Sequence, residues 1–347
     1  MYFRLRDLSL VEPVRWLLSS GERGAPDWPV DGSGWTDLVD YVEANGLSSA
    51  FAHKLWQNGP PPPGTAQDRL ESLEAKMAVA RRLAVDHASE VAEVLERKGI
   101  PVYWLKGVAW GESLYGPEAI RPMRDLDLLV PATQLEGTSH ELELLGYHPD
   151  PLAGPAGQHL PRFIHPSGTK IDVHHRIVPP TIYGFPVNDP KVPWSASNGV
   201  VRGDPDRADA LFHLAHMVIH VFHHSFYNLR LMHLHDLRLA FAKWKIPPAD
   251  VVEAVSELMP PRVALDILGL CDELFDLGGM FRTHPSERFV KAFLRNGSVP
   301  LGYPLRRVPR LRSLPGITRC EARRMSFVLR EAPGRFGRPV ASLHPPA

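Results

Sequence analysis

An Asp-x-Asp pair set in an aliphatic stretch, residues 125–130 (DLDLLV), constrains the fold more than any other feature of this chain. In a β-strand, side chains two residues apart lie on the same side, so Asp125 and Asp127 project together while Leu126, Leu128 and Val130 enter the core. Adjacent carboxylates repel each other unless a cation neutralises them. The stretch therefore predicts an internal strand beside a cation, and a solvated edge strand is the competing interpretation.

A strand-to-helix turn precedes this pair. Residues 100–105 are largely apolar and run into Lys106-Gly107, and residues 108–115 form a short helical stretch that Gly116-Pro117 ends. A residue without Cβ lets phosphate oxygens approach the backbone closely, and the helix that follows offers free N–H groups. Lys106 and Gly107 are therefore candidate phosphate contacts, and a solvent-exposed strand end with a tight-turn glycine is the alternative.

A third carboxylate follows in a hairpin. Residues 162–165 and 169–177 flank a Pro-Ser-Gly turn, and in the second strand Ile171 and Val173 alternate with Asp172 and His174. One face of this strand is therefore core, and the other carries charge and imidazole. Asp172 is the candidate third member of the acidic site, and an exposed aspartate with a salt-bridge partner is the alternative.

These motifs resemble a known family. The segments LKG (105–107), LYG (114–116), RPMRDLDLLV (121–130) and IDVHH (171–175) resemble the DNA polymerase β-like nucleotidyltransferase superfamily, and more narrowly its bacterial family of uncharacterised nucleotidyltransferases, over about residues 35–240. The resemblance implies an α+β fold, in which a small mixed-sheet nucleotidyltransferase core carries N-terminal helices and a C-terminal helical domain.

The resemblance also implies a chemistry. Two Mg²⁺ ions, held by Asp125, Asp127 and Asp172, would lower the pKa of an acceptor hydroxyl and neutralise the triphosphate of an NTP substrate. Carboxylate and phosphate oxygens are the ligands that Mg²⁺ prefers. Asp172 would bind the ion on the nucleophile side and is a candidate base for the acceptor hydroxyl.

Phosphate contacts complete the predicted nucleotide site. Gly107 and the backbone amides after it would hold the β- and γ-phosphates, with Lys106 and Arg121 as charge partners. Arg121 matches the family's arginine ahead of the Asp-x-Asp pair. The chain departs from its relatives at Arg124, where they carry a small residue, and Arg124 is a further nucleotide-binding candidate because its charge lies beside the carboxylates.

A second helical region carries a histidine face. In residues 208–222 the apolar positions recur at helical spacing, and His213, His216 and His220 recur at three- and four-residue spacing beside them. This face is predicted to line the acceptor site, with a zinc or iron site as the sharper alternative. The predicted substrate-binding residues are His174, His216, His220 and Asp236.

Composition bounds the partners and the compartment. The chain has 347 residues with 39 basic and 39 acidic side chains, which gives no field that recruits nucleic acid, so a nucleic-acid acceptor is disfavoured. Its 2 cysteines are far apart, and neither a signal peptide nor a membrane span is evident, which predicts a cytoplasmic protein. The oligomeric state stays open.

Four regions follow from breaks in the sequence pattern. They are an N-terminal helical segment (1–65), a nucleotidyltransferase core (66–178), a helical substrate domain (179–295) and a Pro/Arg-rich tail (296–347). The predicted function is Mg²⁺-dependent transfer of an NMP group from an NTP to a hydroxyl of a small molecule or peptide. The alternatives are an HD-type metal phosphohydrolase that uses the helical histidines with His235-Asp236, and a catalytically inactive nucleotide-binding protein.

Overall fold

The computed structural model describes most of the chain between residues 26 and 258. The described residues are 13–14, 26–116, 119–151, 157–177, 179, 181–182, 185–186, 191–194, 205–224, 230–258, 265, 268–269 and 271–272. The predicted tail at 296–347 and most of the helical prediction for 259–295 lie outside them.

A five-stranded mixed sheet forms the centre of the described residues. Its strands are β1 (Tyr103–Leu105), β2 (Leu126–Leu129), β3 (His148–Pro149), β4 (Phe163–Ile164) and β5 (Lys170–His174), in the order β1-β2-β5-β4-β3. The pair β2–β5 is parallel, and the other neighbouring pairs are antiparallel. The predicted mixed-sheet α+β core is therefore confirmed, with β5 directly beside the Asp-x-Asp strand.

The two faces of the sheet pack into two different apolar clusters. The face that carries Leu126, Leu128 and Val173 belongs to one cluster, the sheet core, together with one end of the long N-terminal helix. On the opposite face, Tyr103, Leu105 and Leu129 belong to a second cluster, the helical core. Because Asp127 alternates with Leu126 and Leu128, its carboxylate lies on the helical-core side of the sheet.

Three helices precede the sheet in the described stretch that begins at residue 26, and residues 13–14 are also helical. The three helices are α1 (Gly32–Ala44), α2 (Ser48–Asn58) and α3 (Gly64–Arg97). The periodicity predicted helices here, and the proline run at residues 60–63 separates α2 from α3 as a connector. The side chain of Asp31 accepts a hydrogen bond from the backbone of Gly34 at the start of α1, which satisfies an otherwise unpaired N–H group.

Helix α3 departs from its predicted burial in the middle. The apolar spacing places Leu70, Leu83 and Leu95 on one inward face, but Leu83 is 43% exposed and the neighbouring Val79 is 61% exposed. The first turns of α3 pack on the helical core through Leu70, and the last turns pack on the sheet core through Leu95. The helix therefore bridges two cores, and its central turns have no core beneath them.

Helix α4 and α5 flank the sheet strands in sequence. Helix α4 (Lys106–Tyr115) starts directly after β1, and α5 (Leu135–Leu144) follows β2 through a 3₁₀ turn at Ala132–Gln134. The sequence predicted a helix that starts at Val108. The observed helix starts two residues earlier, so Lys106 and Gly107 belong to its first turn. A two-stranded ribbon, β6 (Thr181–Ile182) and β7 (Phe185–Pro186), lies in the segment predicted to be a loop.

Within residues 205–258, as far as the structure describes them, three helices cover the carboxylate side of the sheet. They are α6 (Arg207–His224), α7 (Leu231–Trp244) and α8 (Pro248–Ser256). Their apolar residues join those of α1, α2 and α4 in the helical core. None of the helices in the described part of the chain is both long and apolar enough to cross a membrane.

Candidate active site

The three predicted aspartates come together at the end of two parallel strands. Asp127 and Asp172 are register partners in β2 and β5, and Asp125 immediately precedes β2. Their burial differs, because the side chain of Asp127 is 2% exposed and that of Asp125 is 31% exposed. The site is thus closed at Asp127 and open at Asp125.

Asp127 is held by two groups from neighbouring elements. Lys106 at the start of α4 donates from Nζ to Asp127 Oδ1 at 2.6 Å, and His174 Nε2 lies 3.0 Å from the same oxygen. Burial raises the pKa of Asp127, but the charge of Lys106 and the contact with His174 outweigh burial and hold that pKa below its ordinary value. A carboxylate accepts, so His174 donates through Nε2–H, and its Nδ1 lies 3.3 Å from the backbone oxygen of Arg176.

Arg162 bridges the other two carboxylates. Its Nε and Nη2 donate to Asp172 Oδ1 and Oδ2 at 2.8 and 2.6 Å, and Nη2 also donates to Asp125 Oδ2 at 3.0 Å. The pKa of Asp125 is raised by burial and by the charge of Asp127, which Lys106 and Arg162 only partly offset. No role for Arg162 was predicted from the sequence. The register of the predicted hairpin could have indicated one, because it pairs Phe163 with Ile171 and so brings Arg162 beside Asp172.

The backbone of Lys106 carries strain that the sequence did not indicate. Lys106 has a φ of 55°, a left-handed conformation that residues with a Cβ rarely adopt. Its side chain points to the carboxylates, and the charges of Asp127 and Asp125 raise its pKa against the lowering effect of burial. The left-handed turn therefore starts α4 while it directs an ammonium group at the acidic cluster.

Gly107 is closely approached by protein side chains. A Cβ at this position would lie 2.6 Å from Arg121 Nη1 and 2.7 Å from Met123 Cγ. A larger residue at this position would therefore displace the side chains of Arg121 and Met123. The predicted phosphate contact at Gly107 stays a prediction.

Arg121 and Asp236 form a buried ion pair beside the cluster. Arg121 donates from Nε and Nη2 to Asp236 at 2.8–3.1 Å, and Tyr115 donates its hydroxyl hydrogen to Asp236 Oδ1 at 2.8 Å. The side chains of Arg121 and Asp236 are 8% and 3% exposed. Two residues predicted for different ligands, nucleotide and acceptor, therefore contact each other.

A small pocket lies between α4, the segment before β2, and helices α6 and α7. It is lined by Lys106, Trp110, Arg121, His216, Met217, His220, His233 and Asp236. His216 packs its ring against Trp110 and His220, and within the described residues its buried Nδ1 has no hydrogen-bond partner. Burial and the charge of Lys106 hold the pKa of His216 well below its ordinary value, so this imidazole is neutral at pH 7.

The remaining predicted residues lie at the rim or in the cluster. Arg124 is exposed, and its charge, after burial, contributes to lowering the pKa of Arg230. His174 belongs to the carboxylate cluster instead of the pocket, whereas His216, His220 and Asp236 line the pocket. The structure thus separates one predicted site into two adjoining groups that share Lys106.

The carboxylates are of the chemical type that binds divalent cations, and in this structure the guanidinium of Arg162 lies between two of them. Within the described residues, no group of three or more histidine, cysteine, aspartate or glutamate side chains is arranged to hold a metal ion. Asp125 and Asp172 nevertheless converge on one nitrogen of Arg162, which is a stand-in for a cation that both oxygens face. Hard carboxylate donors of this kind suit Mg²⁺.

A mixed sheet whose neighbouring strands bring together an Asp-x-Asp pair and a third aspartate, beside a strand-to-helix turn, is the core of a nucleotidyltransferase, a class of transferases. Residues 31–276 match the family described as uncharacterised nucleotidyltransferase, and the chain belongs to that family. The resemblance seen in the motifs is therefore confirmed.

A solved structure is also similar to the chain. The solution structure of the antibiotic-resistance factor ANT(2'')-Ia matches with a TM-score of 0.35 and 14% identity, over 51% of this chain and 91% of that chain. No curated protein matches the sequence.

Proposed function

We propose that the protein transfers an NMP group from an NTP to a hydroxyl of a small molecule or peptide, with Mg²⁺ as the cofactor. The supporting observation is the convergence of Asp125, Asp127 and Asp172 at the ends of β2 and β5, compensated by cationic side chains from two other elements. Buried carboxylates in such density are unfavourable unless cations bind them.

Atoms and charge balance in the proposed reaction. The acceptor oxygen forms a bond to the α-phosphorus, the bond from that phosphorus to the bridging oxygen breaks, and pyrophosphate leaves. Asp125, Asp127 and Asp172 would hold two Mg²⁺ ions, which would lower the pKa of the acceptor hydroxyl and neutralise charge on the triphosphate. Asp172 is the proposed acceptor of the hydroxyl proton.

The cationic side chains bind and orient the triphosphate. Lys106 lies at the first turn of α4, where backbone N–H groups without a side-chain cap would also face a bound phosphate. Arg121 is already matched by Asp236, so its proposed role is to line and shape the pocket instead of supplying free charge. Arg124 at the exposed rim is the remaining proposed phosphate contact.

The acceptor occupies the pocket beside the carboxylates. Lys106 lines this pocket and also contacts Asp127, so an acceptor bound there lies next to the acidic cluster. Neutral His216 and the ring of Trp110 offer hydrogen bonding and an apolar face, which suits a hydroxyl group on a mixed polar and apolar body. Nucleic acid is not part of the proposal, since the chain carries no net charge.

The hydrolase alternative has less support in the described residues. In an HD-type site, the side chains of His235 and Asp236 would have to be available to coordinate a metal ion. Here Asp236 is taken by Arg121 and Tyr115, and the ring of His235 packs edge-on against Tyr115. A nucleotide-binding protein without turnover uses the same site as the transferase, so activity alone separates those two.

Nucleotide binding provides the first test. We expect thermal unfolding with Mg²⁺ and each of four NTPs to show stabilisation by at least one triphosphate. D125N is the sharpest variant, because Asp125 is half-buried and its raised pKa means that loss of its charge relieves repulsion in the ligand-free protein. D125N should therefore keep its melting temperature without ligand and lose the stabilisation by nucleotide.

D86N is the matched control, because Asp86 is an exposed helix residue whose partner is Arg82. It should keep both the melting temperature and the nucleotide effect. Equal stabilisation of wild type and D125N by Mg²⁺ and every triphosphate would contradict the proposed site. Pyrophosphate release in a hydroxyl-acceptor screen distinguishes the transferase from an inactive binding protein.

A further inference from the structure

Arg162 combines three features that the proposed reaction does not use. It lies immediately before β4, in the hairpin that β4 and β5 form, and its side chain is 32% exposed. Its fork engages both oxygens of Asp172, and the same Nη2 atom also reaches Asp125. A single nitrogen shared by two carboxylates occupies the place of a cation that both would coordinate.

We propose that Arg162 is a displaceable internal counter-ion that competes with divalent cations for Asp125 and Asp172. In the metal-free protein the guanidinium holds the two carboxylates together. A divalent cation binds there only when the guanidinium leaves. This inference rests on the proposed function, because it concerns the same carboxylates.

The charge count favours such an exchange. Three carboxylates face two permanently cationic side chains, Lys106 and Arg162, which leaves one net negative charge in this set. Exchange of the guanidinium for one divalent cation brings the set to neutrality. The compensation is therefore incomplete without a metal ion and complete with one.

The two cations of the cluster differ in how firmly they are placed. Lys106 contacts an aspartate that is 2% exposed, and its backbone is part of α4. Arg162 is the more exposed cation, at 32% against 23% for Lys106, and its carboxylates are also more exposed than Asp127, at 10% for Asp172 and 31% for Asp125. Water therefore screens the contacts of Arg162 more than the contact between Lys106 and Asp127. Arg162 is thus the cation that exchanges, and the released guanidinium lies beside the site where a triphosphate would bind.

Binding of Mn²⁺ alone tests the inference. The full-length protein is titrated with Mn²⁺ in the absence of nucleotide, and the free ion is measured by electron paramagnetic resonance. We expect R162Q to bind Mn²⁺ on the order of tenfold more tightly than wild type, because a charge-assisted contact no longer competes. R162K should fall between them, because an ammonium group lacks the fork that spans both carboxylates.

Two control variants separate competition at the site from a general field effect. R124Q removes the same charge from the exposed residue beside Asp125, and R82Q removes it from an exposed helix pair. R124Q should change the Mn²⁺ affinity much less than R162Q, and R82Q should not change it. An equal gain in R124Q and R162Q would overturn the inference.

Further outcomes are also decisive. Unchanged or weaker Mn²⁺ binding by R162Q, or no Mn²⁺ binding by any variant, overturns the inference. If R162Q fails to fold, R162K gives the answer, since it retains the charge. If nucleotide and Mg²⁺ still stabilise wild type while R162Q binds Mn²⁺ no better, the exchange is wrong and the proposed function stands.

Discussion

The carboxylate cluster and the Arg121–Asp236 pair adjoin one pocket, yet their charges are arranged in opposite ways. In the pair, one guanidinium and one carboxylate match, Tyr115 adds a hydrogen bond, and both side chains are nearly inaccessible. In the cluster, three carboxylates share two cations, and Asp125 and Arg162 remain about one-third exposed. The pair is closed and complete, whereas the cluster is open and short of positive charge.

This difference indicates that the Arg121–Asp236 pair stabilises the fold, whereas the carboxylate cluster binds ligands. A buried pair that loses one partner leaves an uncompensated charge, so its main effect is on folding. An open cluster with excess negative charge binds cations, so its main effect is on ligands. Residues predicted together from the sequence, such as Arg121 and Asp127, therefore belong to groups with different expected consequences.

The largest expected effect is the loss of the closed pair. D236N leaves Arg121 buried without a counter-charge, so we expect the free energy of unfolding to fall by about 3–5 kcal/mol, measured by urea denaturation. The double variant R121M/D236L removes both charges and should regain most of this loss. Wild-type stability in D236N would break the comparison, because the pair would then not be structural.

The next effect is acid sensitivity from buried imidazoles near the pair. Burial, with the charge of Arg238, lowers the pKa of His235 to about 3 in the folded protein. An unfolded histidine titrates near 6.5, so below that pH the unfolded state binds more protons and stability falls until about pH 3. We expect a loss of about 2 kcal/mol from His235 between pH 6.5 and 5.

Urea denaturation at pH 7, 6 and 5 measures this loss, with H235Q as the comparison. H235Q should show a flatter dependence on pH than wild type. Burial also lowers the pKa values of His216 and His223. These two histidines therefore contribute to the pH dependence of stability in both wild type and H235Q. Identical slopes would show that His235 is protonated inside the fold.

A smaller effect is expected from the strained residue of the cluster. K106A and K106G both lose the contact with Asp127, but only glycine adopts the left-handed φ of 55° without strain. We therefore expect K106G to be about 1 kcal/mol more stable than K106A in urea denaturation. The reverse order, which helix propensity alone predicts, would show that Lys106 does not have this conformation.

The smallest effect is expected at an exposed ion pair, which provides the baseline. Arg82 and Asp86 are paired on α3 with side chains 80% and 54% exposed. A double-mutant cycle with R82A and D86A should give a coupling free energy of about 0.5 kcal/mol or less, again by urea denaturation. A coupling as large as that of the buried pair would remove burial as the explanation of the difference.

Local sequence patterns predicted the main helices and strands well, but they predicted less well which side chains those elements bury. The alternation in residues 125–130 correctly places Leu126, Leu128 and Val130 in the sheet core. The same kind of reasoning fails for Leu83, because helical periodicity shows which residues share a face and not whether a core lies beneath it. Arg162 was missed for a related reason, since its meaning depends on the register of a hairpin.

The sequence by itself determined the motif set, the order of the main helices and of strands β1, β2, β4 and β5, and the family, because these depend on short-range spacing of residue types. Only the tertiary structure decided that Arg121 pairs with Asp236, 115 positions away. It also decided that Asp172 lies beside Asp127 through a parallel pairing. Contacts of this kind arise from the packing of distant elements, and local spacing carries no information about which partners that packing brings within hydrogen-bond distance.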